Sequence, residues 1–239
     1  VESINSCFLI VDLPLLFLLI DSLEKTNKIK SFEQCPKKFY HLNIAKDYKE
    51  PHTEAMRYGT KMHLVAEEYI KNGKPIPPEF AYLNGPLQAL ERKKGNKLTE
   101  IKMGLDDNLD PCGFRDKNVW WRGIADLIII KDKKAWVIDY KTSKSAEYAD
   151  KGQLELMAMA TFKHFPEIQK INAGLLFVIA NKAVKEVYRK EDSGDLWDKW
   201  FYKYSRMEIA EKEDVWNARP SGLCKRHCVV LECVHNGSN

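Results

Sequence analysis

Two apolar runs, VWWRGIADLIII (119–130) and KAWVIDYK (134–141), flank a short basic stretch and constrain this chain more than any other feature. Continuous apolar runs of that length, bounded by polar residues, read as strands buried on both faces. With Asp132 and Lys133 as a two-residue turn, they close into a hairpin of defined register. Residue 131 then pairs with 134, and 130 with 135. Continuing outward sets Asp126 opposite Asp139 on one face, with Cβ atoms about 5 Å apart. Lys141 shares that face, since alternate strand residues point the same way.

Two carboxylates so placed repel unless something positive lies between them. A divalent cation does this well, because hard oxygen ligands suit Mg2+ or Mn2+. The plainer alternative is a polar patch at Asp126 and an exposed ion pair between Asp139 and Lys141. The apolar runs 127–130 and 136–138 weigh against it, because buried charges without partners are costly.

Helical and strand-like segments alternate along the chain, so a mixed α/β class is expected. At 239 residues and 44% apolar, it can bury one large core. Helices are expected over 54–73, stopping at Gly73, near 79–93, over 148–165 and over 196–213. The third is apolar almost all round and should be largely buried. Strands are expected over 98–105, 171–180 and 184–189, and a short helix interrupted at Pro36 over 31–45. Trp120 and Trp121 are consecutive, so at least one should face the core. Lys203 and Arg206 read as a solvated helix face.

The net charge of +4 permits a polyanionic partner without requiring one. There is no G-x-x-x-x-G-K-[ST] loop, so no nucleotide-driven motor is recognisable. The stretch CFLIVDLPLLFLLI (7–20) is too short to span a bilayer, carries Asp12 and Pro14, and lacks a basic leader and a cleavage site. We read residues 1–27 as an N-terminal extension that need not be native, and expect a cytoplasmic protein with no membrane partner. Of six cysteines, Cys224, Cys228 and Cys233 fall within ten residues as C-x3-C-x4-C. That spacing favours a metal or cluster site over a disulfide framework, with free thiols as the alternative.

G-I-A-D (123–126) followed by I-D-Y-K-T (138–142) resembles the core of the PD-(D/E)xK nuclease superfamily, in its RecB-like branch. SFEQCPKKFY resembles the N-terminal box of that branch, GTKMHLVAEE its G-T-x-x-H-x-x-x-E helix, and QLELMAMA its Q-L-x-x-Y helix. The likeness runs from about residue 28 to the end, and phage-type RecB-like exonucleases and the CRISPR-associated RecB-like nuclease look most similar. It implies a restriction-endonuclease-like core, a central mixed β-sheet flanked by helices. It implies a metal site of His63, Asp126, Asp139 and the Tyr140 carbonyl. Lys141 would orient or help activate the attacking water and steady the phosphate, and Gln153 would support the site or touch the DNA backbone. Taken alone, His63 with Glu67 would be an ordinary helix pair. Met157 stands where the family often has tyrosine.

The resemblance also implies that Cys35 joins Cys224, Cys228 and Cys233 around a [4Fe–4S] cluster, although the usual C-terminal spacing is C-x2-C-x5-C. His227 and His235 keep Zn2+ open as the alternative. Lys37, Lys38 and Tyr40 mix basic and aromatic groups able to grip single-stranded DNA or duplex ends. A helix with a solvated face and a buried aromatic explains them equally well. The expected function is metal-dependent DNA cleavage, exonucleolytic, in bacterial or phage recombination or repair, beside a separate helicase or recombinase. The rivals are an inactive DNA- or partner-binding scaffold and a CRISPR spacer-processing nuclease.

Overall fold

Strands β3 (Trp121–Lys131) and β4 (Lys134–Lys141) form the expected hairpin at the centre of the computed structural model, which describes residues 25–51, 53–147 and 149–237. Lys131 lies opposite Lys134, and the register runs on to Leu127 opposite Ile138. Asp132 takes up the left-handed turn conformation, with φ 55°, which aspartate tolerates better than most residues. Cys7 and most of the N-terminal extension lie outside the described residues.

The remaining strands are β1 (Asn96–Leu105), β2 (Pro111–Cys112), β5 (Lys170–Phe177) and β6 (Lys182–Arg189). The sheet order is β2-β1-β3-β4-β5-β6. All neighbours are antiparallel except β4 and β5, which run parallel and are joined through helix α5 (Lys151–His164). The sheet is therefore mixed, as expected, and the crossover supplies the helix that parallel neighbours require.

Helices cover both faces. Helices α1 (Lys25–Gln34), α2 (Pro36–Phe39), α5 and α6 (Ser193–Lys212) close one core, in which Ile128, Val137 and Leu175 meet Leu154, Met159 and Trp200. Helices α3 (Glu54–Asn72) and α4 (Asn84–Glu91) close the other, where Leu127, Ile129 and Tyr140 meet Met62, Ala66 and Leu87. Thr53 caps α3 by accepting the Met56 N–H at 3.2 Å, and Gly73 ends it at φ 65°.

Local details sharpen or change these expectations. The segment from 79 begins as a 3-10 turn (Pro78–Leu83), because Phe80 leaves helical geometry before α4 starts. Strand β2 is too short to leave a periodic signal. Trp120 and Trp121 are both buried, the former against Phe201 and Tyr204 of α6. Lys203 is no free surface group: it pairs with Glu33 at 2.7 Å and lies over the Trp200 ring. Among the described residues, no helix is long and apolar enough to cross a membrane.

Candidate active site

The β3–β4 pairing stops one step short of the pair formed by Asp126 and Asp139. There Asp126 uses its side chain instead, and Oδ2 accepts the Tyr140 main-chain N–H at 2.6 Å. Both carboxylates are buried, at 7% and 6% exposure. The two faces of the sheet each add one group. From α3, His63 brings Nδ1 to 3.2 Å from Asp126 Oδ1. From the first turn of α5, Gln153 donates through Nε2 to Asp139 Oδ1 at 2.5 Å and accepts from Lys141 Nζ at 2.9 Å. That turn is held by Asp150, whose carboxylate accepts the Gly152 N–H. Lys141 Nζ also lies 2.7 Å from Asp139 Oδ2. Apart from that ion pair, Oδ2 is a buried oxygen with no further partner among the described residues.

The electrostatics follow from this crowding. Burial, and then the charge of Asp126, push the Asp139 carboxyl up to about 6 against the pull of Lys141. Burial works to lower the His63 pKa, but its bond to Asp126 and the charges of Asp126, Asp139 and Glu100 outweigh it, and the net shift is upward. In a strand, the N–H and C=O of one residue point to the same edge. Tyr140 N–H faces Asp126, whereas the Lys141 carbonyl bonds Val178 N–H on the β5 side at 3.1 Å. The Tyr140 carbonyl therefore faces the same gap as Asp126. Buried carboxylates, an imidazole, this carbonyl and an orphaned oxygen form a donor set that fits a hard divalent cation.

Glu100 was not foreseen. In the β1–β3 register, Thr99 opposite Leu127 and Ile101 opposite Ala125 bracket it, which sets Glu100 across from Asp126. Its φ of 51° takes it out of the ladder. One ligand atom each from His63, Glu100 and Asp126 lie within 4.8 Å of one another. Burial, and then the Asp126 charge, raise the Glu100 carboxyl above its ordinary range. The long connection from 106 to 120 leaves the β1 register open to sequence reasoning, so no count across the strands could have found this residue.

Gly123 and Met157 explain each other. A Cβ on Gly123 would sit 2.6 Å from the Trp121 ring and 3.1 Å from Met157 Sδ. Met157 itself is buried, so the position where tyrosine was anticipated is part of the core.

Cys35, Cys224, Cys228 and Cys233 line one cavity, with Lys37, Lys38, Arg219 and His235 around it, and none of the four is in a disulfide. Cys35 Sγ accepts the Arg219 N–H at 3.4 Å, and Cys224 Sγ the Ser221 N–H at 3.3 Å. His227 lines the adjoining hollow. Lys38 is paired with Glu50 at 2.6 Å, and Tyr40 packs against Trp216 and His41. Lys37 and Lys38 of the N-terminal box thus sit beside the cysteines.

A solved structure described as a "putative exonuclease" from Eubacterium rectale shares the fold, with a TM-score of 0.50 and 9% identity over 84% of this chain and 85% of that one. The structure of SSO0001 matches over 87% of this chain and 85% of that one, at 16% identity and a TM-score of 0.41. No curated protein matches the sequence. A sequence profile of the PD-(D/E)XK nuclease superfamily matches residues 26–233, nearly the whole described chain. This protein belongs to the PD-(D/E)XK nuclease superfamily.

Proposed function

We propose that this nuclease is a Mg2+- or Mn2+-dependent deoxyribonuclease of the RecB-like branch, working as an exonuclease. One observation carries the reading. His63, Asp126, Asp139, Lys141 and Gln153, from four separate elements, form two bonded groups, His63 with Asp126 and Gln153 with Asp139 and Lys141, which meet where Asp126 accepts the Tyr140 N–H. A partner-binding scaffold has no need of that set.

His63, Asp126, Asp139 and the Tyr140 carbonyl would hold the cation. When bound, it would supply a water acidic enough to attack near neutral pH and screen charge on the leaving oxygen. The chain's own groups do the positioning. The Tyr140 N–H fixes the Asp126 carboxylate. Gln153 holds Asp139 and Lys141 in one orientation through the two ends of its amide. Lys141 and His63 side chains are each 32% exposed, whereas Asp126 and Asp139 are almost closed off. A phosphodiester therefore approaches over the lysine and the imidazole. Lys141 Nζ then donates to a non-bridging phosphate oxygen and steadies the charge that builds there.

The nuclease domain spans 28–239, and the four cysteines would staple its two ends through a [4Fe–4S] cluster, with Zn2+ as the alternative. Their common cavity supports this. Lys37 and Lys38 beside it would meet the backbone of a DNA end supplied by a separate helicase or recombinase.

End-labelled single- and double-stranded DNA, with a closed circular strand beside them, tests the reading. Linear DNA is expected to shorten with Mg2+ or Mn2+ and to survive chelator, while the circle stays intact. Lys141→Ala should slow cleavage by about 100-fold or more. Equal background digestion by wild type and variant would end the nuclease assignment, and rapid cutting of the circle would end the exonuclease one. Absorbance of anaerobically purified protein separates a broad visible charge-transfer band from colourless, zinc-loaded protein.

A further inference from the structure

We propose that Arg122, held flat on the Phe114 ring, is the subsite for the phosphate two nucleotides along the strand from the bond that is cut, with Lys102 on the phosphate between. This rests on the nuclease reading and adds to it the course of the substrate strand and the residues that hold it.

Among the described residues, three buried side-chain polar atoms lack a hydrogen bond. Those of Asp139 and Tyr140 belong to the carboxylate site, and the third is Arg122 Nε, at the far end of β3. The Arg122 guanidinium lies over the Phe114 ring, 5.3 Å from its centroid, and its side chain makes no hydrogen bond or ion pair among the described residues. An N–H shut away from water without an acceptor destabilises a fold. A purely structural arginine would recover that loss from a carboxylate. The loop carboxylate Asp116 accepts the Gly113 N–H instead, at 2.6 Å. Stacking fixes the plane of a guanidinium and leaves the N–H groups at its edge for an anion such as phosphate.

Strand alternation places this arginine in line with the reacting centre. Trp121 and Ala125 pack in the α5/α6 core, and a Cβ on Gly123 would meet Met157 of α5. Arg122 and Ile124 therefore project from the opposite face, on which Asp126 meets His63 of α3. In β1, Ile101 and Met103 pack in the α5/α6 core, which turns Lys102 to the α3 face, directly across from Ile124. Gly104 lies across from Arg122, and the close pass of Cys112 and Gly113 over it brings Phe114 to the guanidinium. Lys102 is exposed and Ile124 and Arg122 are half-buried, so the face is an open, shallow groove. Two strand residues span about 6.7 Å, close to the spacing of successive phosphates along an extended nucleic-acid strand. With the scissile phosphate at Asp126, Lys102 stands beside the next phosphate and Arg122 beside the one after. Asp106, Asp107 and Asp110 follow at the end of β1, and their charge repels a further phosphate. The track is two phosphates long.

Fluorescence anisotropy of the full-length protein with a labelled single-stranded DNA oligonucleotide, in chelator to prevent cleavage, tests this. A set of oligonucleotides carries one uncharged methylphosphonate each, moved along the strand a position at a time. Neutralising the phosphate two removed from the bond cut in Mg2+ is expected to weaken wild-type binding by about 10-fold or more. Arg122→Gln should lose the same factor on unmodified DNA, be indifferent to that methylphosphonate alone, and lower the slope of log Kd against log salt by about one. Arg122→Lys should recover part of the affinity. If Arg122→Gln unfolds at lower urea, Arg122→Lys carries the test, together with Lys102→Gln against the neighbouring phosphate. The assignment falls if a well-folded Arg122 variant matches wild type in affinity, salt slope and response to every methylphosphonate. Should wild type bind and cut DNA and Arg122→Gln do the same, only this inference fails. Should wild type neither bind the oligonucleotide nor cut DNA, the nuclease reading fails with it.

Discussion

Asp126 accepts the Tyr140 main-chain N–H at 2.6 Å, taking the place of the next backbone rung of the hairpin. A carboxylate proposed to hold the cation is therefore also a structural acceptor, and the two duties can be separated by substitution. Asp126→Asn keeps an oxygen for the Tyr140 N–H while removing the charge. Asp126→Ala leaves that N–H buried without an acceptor, at a cost of about 1–3 kcal/mol. Both variants should lose metal-dependent cleavage, and the alanine variant should unfold at lower urea than the asparagine variant by that margin. Coincident unfolding curves would show that the bond contributes nothing to stability.

The same crowding makes the metal-free protein sensitive to pH. The Asp139 carboxyl is raised from 3.8 to about 6 by burial and by Asp126. Between those values the folded protein holds a proton that the unfolded chain has released. Unfolding then releases a proton, so raising the pH favours unfolding. This contribution is most favourable below about 3.8, declines as pH rises to about 6, and is flat beyond. In chelator, wild type should lose stability relative to Asp139→Asn across that window, and Mn2+ at neutral pH should restore it. Parallel urea midpoints for the two proteins from pH 4 to 7 would contradict the assigned shift.

How much of this was legible depended on where each residue's register comes from. Strand β4 has the bounds read from its apolar run, and the turn at Asp132 and Lys133 set the β3 register without help from the rest of the chain. His63 and Gln153 are different. Local periodicity says nothing about how a helix is rotated against a distant sheet. Gln153, in a helix apolar almost all round, had no polar face to mark it. Both came from the resemblance. Glu100 came from neither, because its partner strand lies across a long irregular connection and its left-handed backbone breaks the alternation that a strand reading relies on. The gathering of Cys35 with the three C-terminal cysteines likewise depends on the tail folding back in 3-10 and irregular turns that carry no period.

In the proposed site, Gln153 is a positioning residue that works through its neighbours. Its amide ties Asp139 to Lys141 with bonds of 2.5 and 2.9 Å. Removing it leaves the lysine held by the Asp139 carboxylate alone, at 2.7 Å, with nothing to fix the orientation of either group. Gln153→Ala should lower kcat by about 10–100-fold, the usual cost of losing a partner that orients a metal ligand. KM for DNA should change far less, because the amide lies behind the groups that meet phosphate. A variant that raises KM while leaving kcat intact would instead make Gln153 a DNA contact.

Gly123 is where packing dictates the motif. The Trp121 ring folds back over its α-carbon, so an added methyl would sit 2.6 Å from ring carbons and 3.1 Å from Met157 Sδ. Trp121 is itself almost fully buried and cannot swing out to solvent, although the thioether can yield. Gly123→Ala should therefore destabilise the fold by about 1–3 kcal/mol through overpacking. Trp121→Leu alone should also destabilise, by opening a cavity where the indole was. Combined, the added methyl occupies part of the space that the indole vacates, so the double variant should be more stable than the sum of the two losses. Thermal or urea unfolding of the four proteins gives the coupling directly. Strict additivity would mean that the indole does not exclude the methyl and that glycine at this position answers to some other demand.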